Sequence, residues 1–337
     1  MNDLLVAGAG PAGLATAIHA ARAGLAVTVV ERRPGPIDKA CGEGLMPHTL
    51  RHLEAIGITP HGKPFRGITY LDRTRRVEAR FPGAAGRGVR RTVLSEALHD
   101  AAATAGVRIV KGDIGDIEQD ATGVRCGDFE ARYLAAADGL HSPIRRQLGL
   151  DRPTNGGRRW GIRRHFQIAP WTDTVEVYWA AHTEAYVTPV ADDCVGVAIL
   201  TSRQGKFDDH LSEFPALAAR LAGAQGTRPR AAGPLRQRAS SQHRGRVMLV
   251  GDAAGYVDAL TGEGLGIALG CAELVVNAVL AEDPADYTRQ WRRMSRRYRL
   301  LTSALLTASN SPARTMIVPA ATTLPGVFNQ AVKLLAQ

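Results

Sequence analysis

The 337-residue chain is poor in cysteine, in aromatic residues and in long apolar runs, and each shortage closes a class of function. Only four cysteines occur, Cys41, Cys126, Cys194 and Cys271, far apart and without paired spacing. They build neither a disulfide framework nor a zinc knuckle, which suits a reducing, cytoplasmic setting. Aromatic residues make up 5% of the chain. With none interleaved among its basic stretches, and with no helix-turn-helix or zinc-finger spacing, the chain does not read as a nucleic-acid binder. No apolar run approaches the roughly 20 residues that a membrane-spanning helix needs. The opening MNDLLVAGAG carries an acid at position 3 and no basic leader, so no signal peptide is expected. Peripheral membrane contact stays open, because the tail Leu300–Leu335 is moderately apolar. Acidic residues are outnumbered 32 to 42, for a net charge of +10. The excess gathers at Arg158–Arg164 and Arg289–Arg299. Such patches read first as solvated faces; the functional reading is attraction of an anionic cofactor, a phosphate or a membrane surface.

Glycine, by contrast, is abundant at 36 residues, and its placement carries the chemistry. Leu4–Ala7 is a short apolar run of the kind that forms a buried parallel strand. Gly8-Ala9-Gly10-Pro11-Ala12-Gly13 follows, then a helical stretch and a second strand that ends in Glu31, beside Arg32. In this strand–GxGxxG–helix–strand–acid order, Gly8 permits a tight turn and Gly10 lets the backbone approach a pyrophosphate. Gly13 allows the helix to pack close to the sheet, and Glu31 is placed to bond ribose hydroxyls. The helix N-terminus offers free N–H groups to phosphate. The site should bind a dinucleotide.

Two further strands end in short polar motifs. AAADGLHSPIR places Asp138 and Gly139 at a strand end, then Ser142 and Arg145. MLVGDAAG places Gly251 and Asp252 likewise, followed by a bare GEGLG at Gly262–Gly266. In this order the three motifs resemble the fingerprints of FAD-dependent oxidoreductases with the p-hydroxybenzoate hydroxylase fold, over roughly residues 1–275. That superfamily includes the aromatic hydroxylases and the geranylgeranyl reductases. The resemblance implies that FAD is held by Gly8, Gly10, Ala12, Gly13, Glu31 and Arg32, by Arg91 of an Arg-x-x-Leu helix start, and by Asp138 and Gly139. It also implies that Gly251 and Asp252 hold the ribityl chain. Gly262, Gly264, Leu265 and Gly266 would then open a helix facing the flavin pyrimidine edge, where a positive dipole end stabilises the reduced anion. Side chains there would block the ring. Only one complete GxGxxG fingerprint exists, so NAD(P)H would serve as a transient electron donor docked on basic surface.

The expected architecture is α/β. A Rossmann-like FAD-binding domain (residues 1–66, 87–151 and 236–300) carries an inserted, mainly antiparallel β-sheet substrate domain (67–86 and 152–235) and a C-terminal helical segment (301–337). Gly67–Pro82 alternates like a hairpin, Arg90–Ala105 is helical, and Gly205–Gly226 reads as one helix. VEVYWAA, EAYVTPV and VGVAIL read as strands roofing the flavin.

Lys39–Leu45 (KACGEGL) resembles the Lys-x-Cys-Gly-x-Gly element of the prenyl reductases, which sits against the flavin. Cys41 is either a packed small side chain or a weak proton donor. Glu43 is a proton shuttle or an exposed loop acid, and Lys39 a phosphate or carboxylate partner or simply exposed. Trp160, His165, Tyr178, Trp179, Tyr186 and Thr188 form either a substrate pocket or ordinary sheet packing. Two reactions compete. One is oxygenation, with NAD(P)H and O2, of a hydrophobic phenolic or polyketide-like molecule of secondary metabolism; the other is flavin-dependent reduction of a prenyl-type alkene. KACGEG and LTGEG look more like the reductases. Typical hydroxylases carry His where this chain has Gly255, and Pro-x-x-Gly-Gln-Gly where it has LTGEG. The short chain leaves little room for a prenyl tunnel, and on that ground the sequence tips narrowly toward oxygenation.

Overall fold

A computed structural model describes residues 1–33, 35–154 and 157–336; Pro34, Asn155, Gly156 and Gln337, the last residue of the expected C-terminal segment, lie outside it. The first strand, β1 (Asn2–Ala7), leads through the glycine turn into α1 (Pro11–Arg22) and β2 (Val27–Glu31). These pair in parallel with the strands Phe129–Ala136, Val247–Leu249 and Arg108–Lys111. The last four residues of β1 are buried, as a parallel strand covered by helices on both faces requires. Ala7 lies opposite both Val30 and Ala136, and Ala136 opposite Leu249, so the strands end in step. The turns that follow them therefore converge at one carboxyl edge, where open α/β sheets bind ligands.

The second sheet roofs that edge. Its strands run in the order Trp160–Gln167, Cys194–Thr201, Thr183–Ala191, Val175–Trp179, Gly67–Leu71 and Arg76–Arg80. All pairs are antiparallel except Val175–Trp179 with Gly67–Leu71, which is parallel because the early hairpin joins from far upstream. Two expectations need correction. The Arg158–Arg164 stretch is not a solvated face. It enters a strand, and the period-2 alternation drives Arg159 and Arg163 into the interior, at 4% and 3% exposure. Gly205–Gly226 is not one helix but two short ones, Phe207–Leu211 and Pro215–Leu221, then a strand at Gln225. Pro215 starts the second at a position where its missing N–H costs nothing.

The roof has two apolar faces. The outer one packs Phe166, Tyr178, Val187 and Ile199 against Phe207, Phe214 and Leu217 of the short helices. The inner one packs Val175, Val177 and Trp179 against the C-terminal helices, through Val318, Ala321, Phe328 and Val332. These follow the helix Gly264–Leu280 and the long helix Pro284–Ser309, which runs unbroken through residue 300. No helix among the described residues is long and apolar enough to cross a membrane.

Candidate active site

The glycine turn after β1 shows why side chains are missing there. Gly8 has φ +104°, and a Cβ on it would stand 2.7 Å from the Ala137 carbonyl oxygen. A Cβ on Gly13 would stand 1.9 Å from the Gly8 carbonyl, so helix and turn touch backbone to backbone. Gly10 differs: a Cβ there would meet no protein atom within 4 Å, because it faces the cleft. The α1 N-terminus, which includes Ala12, has no side-chain cap, leaving its first N–H groups turned to that cleft. Glu31 closes the far side. Its carboxylate accepts from the Ala9 N–H at 2.8 Å and the Arg33 N–H at 3.0 Å. Burial would raise its pKa, but those bonds win and hold it below the usual carboxylate value.

Lys39, Arg32 and Arg91 line the same cleft, as does Asp138. Arg91 is 6% exposed, burial lowers its pKa, and its Nη1 has no partner. A buried guanidinium with an open donor awaits an anion or a polar ligand atom. Asp138 is similar: Ser142 Oγ donates to Oδ2 at 2.8 Å, while buried Oδ1 is unpartnered. Lys39 Nζ lies 3.1 Å from where a Cβ on Gly139 would stand. Asp252 sits in the tight turn Gly251–Ala254 and makes no side-chain hydrogen bond among the described residues. Burial pushes its pKa up, against the Lys39, Arg91 and Arg145 charges. Arg145 itself is a strut. It donates from Nε to Asp151 at 2.7 Å, from Nη1 to the Ala253 carbonyl at 3.1 Å and from Nη2 to Gln237 at 2.8 Å, joining two of the converging turns.

Beyond Asp252 the chain reaches GEGLG. Gly262 takes φ +70° and faces open space. A Cβ on Gly264 would lie 2.9 Å from the Tyr256 ring, and one on Gly266 2.2 Å from His48 Nε2. At these two positions the close approach of the Tyr256 and His48 side chains gives glycine a reason within the protein, beside the expected one of leaving the ring uncovered. Leu265 packs partly against the main core. Glu263, the helix N-cap residue, makes no side-chain hydrogen bond or salt bridge among the described residues, and burial raises its pKa to about 7 against the Arg297 charge.

The Lys39–Leu45 loop is fastened to the roof. Glu43 is 2% exposed with φ +60°, so it is no exposed loop acid. Its Oε1 accepts from the Arg91 N–H at 2.8 Å, and its Oε2 lies 2.7 Å from His165 Nε2. With both oxygens engaged, it serves as a rivet. Arg163 pairs with Asp38, donates to the Lys39 carbonyl at 3.2 Å and touches His165 Nδ1 at 3.1 Å. Thr188 donates to the Gly42 carbonyl at 2.8 Å. Gly196 makes room: a Cβ there would stand 2.9 Å from Glu43 Oε2. Cys41, held in this loop, is half-buried, and burial raises its pKa, so the thiol keeps its proton at neutral pH.

The structure therefore splits the expected pocket. His165 and Thr188 face the loop, and Tyr186 reaches the Leu260 carbonyl at 2.9 Å. Tyr178 belongs to the outer face, where it donates to Glu176 at 2.7 Å and packs on Phe214, so it lines no site over the cleft. Trp179 packs on Tyr70 and under the Arg314 guanidinium, and Trp160 lies against Gly233. Sequence reasoning missed Arg163, Glu263 and a buried ionic cluster. In the cluster Glu184 binds Arg159 at 2.7 Å and Arg314 at 2.6 Å, and Arg159 Nε approaches Asp258 at 3.1 Å. The signal available was strand alternation, since an inward arginine demands a buried acid. The unpartnered Arg91 and Asp138 atoms, the uncapped helix starts and the open face of Gly10 together suit a dinucleotide carrying phosphates and ribose hydroxyls.

Comparison with known proteins agrees with that fit. A profile of the FAD binding domain family matches residues 1–279. The chain is 30% identical over 333 residues to a menaquinone reductase of Mycolicibacterium smegmatis, covering 86% of this chain and 79% of that one. It is 28% identical over 301 residues to a 3-(3-hydroxy-phenyl)propionate/3-hydroxycinnamic acid hydroxylase of a Mycobacterium species, covering 78% of this chain and spanning about half of that one, 51%. Among solved structures, a flavoprotein/dehydrogenase from Cytophaga hutchinsonii superposes with a TM-score of 0.83 at 20% identity, covering 99% of this chain and 92% of that one.

Proposed function

Since the chain belongs to the FAD-binding family of flavin-dependent oxidoreductases with the p-hydroxybenzoate hydroxylase-type fold, we propose that it is an FAD-dependent reductase of a lipophilic, quinone- or prenyl-type small molecule. The observation that carries this reading is the engagement of the roof's polar groups nearest the cleft loops. His165, Arg163, Thr188 and Tyr186 all bond protein atoms of the cleft loops, whereas a small phenol would need donors free to hold its oxygen. Beside them the inner face is apolar at Val175, Val177, Phe65 and Phe328, with the Glu184–Arg159–Arg314 cluster closed on itself. The C-terminal helices extend that apolar interior, which supports a lipophilic substrate. The likeness to menaquinone reductases supports the same order, reversing the narrow preference of the sequence.

Bound reduced FAD would supply the hydride. Around it, Arg91 and Lys39 would balance pyrophosphate charge, and the uncapped N-terminus at Gly264 would favour the anionic reduced ring. The protonated Cys41 thiol lies close enough to Arg91 to feel its charge and would hold the proton for the second carbon. The inner roof would exclude water. A nicotinamide dinucleotide would act as transient donor.

Hydroxylation of a hydrophobic phenolic or polyketide-like molecule is the second reading, favoured by the matched hydroxylase. Product analysis under isotopically labelled oxygen separates the two. The reductase reading expects a prenylated quinone to gain two hydrogens and no label. Labelled oxygen in a phenolic product would replace it with the second reading.

A further inference from the structure

After Asp286 the chain contains no acidic residue through Gln337, but eight basic ones. The same stretch holds four of the seven large hydrophobic side chains left exposed among the described residues: Leu300 at 62%, Met316 at 58%, Leu324 at 56% and Val327 at 65%. Exposed apolar side chains are ordinary one at a time; a group on consecutive elements, free of acids, is not. At the corner between the helices Ile317–Thr323 and Pro325–Ala336, residues 322–327 are all exposed, while Phe328, Val332 and Leu335 turn inward. Alongside, the helix Pro284–Ser309 shows solvent a stripe at helical spacing, Arg293, Arg296 and Leu300. Leu301 packs with the Phe328 cluster, and Arg297 bonds the Leu334 carbonyl, so the two helices lie side by side. Arg293, Arg296 and Lys333 have no hydrogen-bond or ion-pair partner among the described residues, unlike Arg289, which is tied to Asp283 and Asp286.

We propose that this C-terminal face docks the protein on an anionic lipid bilayer. Leu324, Val327 and Met316 enter below the headgroups, while Arg293, Arg296 and Lys333 meet lipid phosphates. Charge selects the bilayer over a neutral surface, and the narrow helix corner suits shallow insertion better than the broad contact a protein partner offers. The inference goes beyond the reductase reading and does not depend on it. Should both hold, the apolar cluster running from Phe328 to Met46, beside the Cys41–Glu43 loop, joins the bilayer side to the cleft.

The test is co-sedimentation of the flavin-loaded protein with phosphatidylcholine vesicles, with and without phosphatidylglycerol at about one lipid in three. Binding is expected only to the anionic vesicles, and to fall as salt rises. Leu324→Asp with Val327→Asp is expected to weaken binding at least roughly ten-fold, and each of Arg293→Gln, Arg296→Gln and Lys333→Gln about five-fold. All five sites are exposed, so flavin retention and Tm should not change. No binding, equal binding to both vesicle types, or anionic binding untouched by Leu324→Asp would overturn the proposal. So would a lipid-free dimer that Leu324→Asp dissociates, which would assign the face to a second copy. None of these outcomes bears on product identity.

Discussion

Gly10 and Gly13 belong to one motif, yet the structure gives them separable tasks. Gly13 lacks a side chain because the Gly8 carbonyl occupies its place; Gly10 lacks one where the protein leaves room. Gly13→Ala is therefore expected to lower the Tm of the flavin-free protein. Gly10→Val should leave that Tm nearly unchanged and weaken FAD binding by roughly a hundred-fold, the upper range of an overpacking clash. Fluorescence titration with FAD, run beside thermal melts, checks both. Asp252→Ala removes a carboxylate with no protein hydrogen bond, and the loss of a charged bond to the ligand should weaken FAD roughly ten- to a hundred-fold. Glu263 gives a signature in pH. Its folded pKa, near 7, lies above the ordinary value of 4.5, so the protonated form is the one the fold favours. Its contribution to stability is complete below about 4.5 and is lost as pH rises through 7. The Tm of the flavin-free protein minus that of Glu263→Gln should fall between pH 5 and pH 8; a constant difference would show that Glu263 titrates normally.

The element most exposed to a single change is the Lys39–Leu45 loop. Arg163 reaches across from the roof to Asp38, the Lys39 carbonyl and His165, and approaches Glu43 at 3.7 Å. Arg163→Ala would leave buried Glu43 without that charge and Asp38 with Arg230 alone. It should destabilise the protein by about 3–5 kcal/mol in chemical unfolding, the usual cost of breaking a buried pair. A loss under 1 kcal/mol would mean that water enters and the rivet is dispensable. This element also shows how far sequence reaches. The three motifs were legible because each is local: a strand, a turn and a helix start within about eighteen residues, all landing on one sheet edge. The roof strands were legible from β-branched and aromatic runs. The contacts that fix the Lys39–Leu45 loop were not, since Glu43 meets His165 across 122 residues and Asp38 meets Arg163 across 125. No periodicity encodes such pairing. The side on which Tyr178 falls was hidden for a related reason: alternation separates two faces, but only the packing partner tells which one meets the cleft.

At the scale of the whole molecule, a dinucleotide cleft lies under a sheet whose inner face is apolar around Val175, Val177 and Phe328, and whose His165, Arg163, Thr188 and Tyr186 bond the cleft loops. That division assigns charge to the cofactor and apolar surface to the substrate, which is the physical ground for proposing a reductase of lipophilic molecules. The most direct measurement is an anaerobic half-reaction. The flavin is reduced with dithionite in the absence of oxygen, then mixed with a menaquinone on a rapid-mixing instrument while the flavin spectrum is followed. The account predicts that the substrate alone reoxidises the flavin. A flavin that stays reduced until oxygen is admitted, and then transfers oxygen to a phenolic substrate, would contradict it.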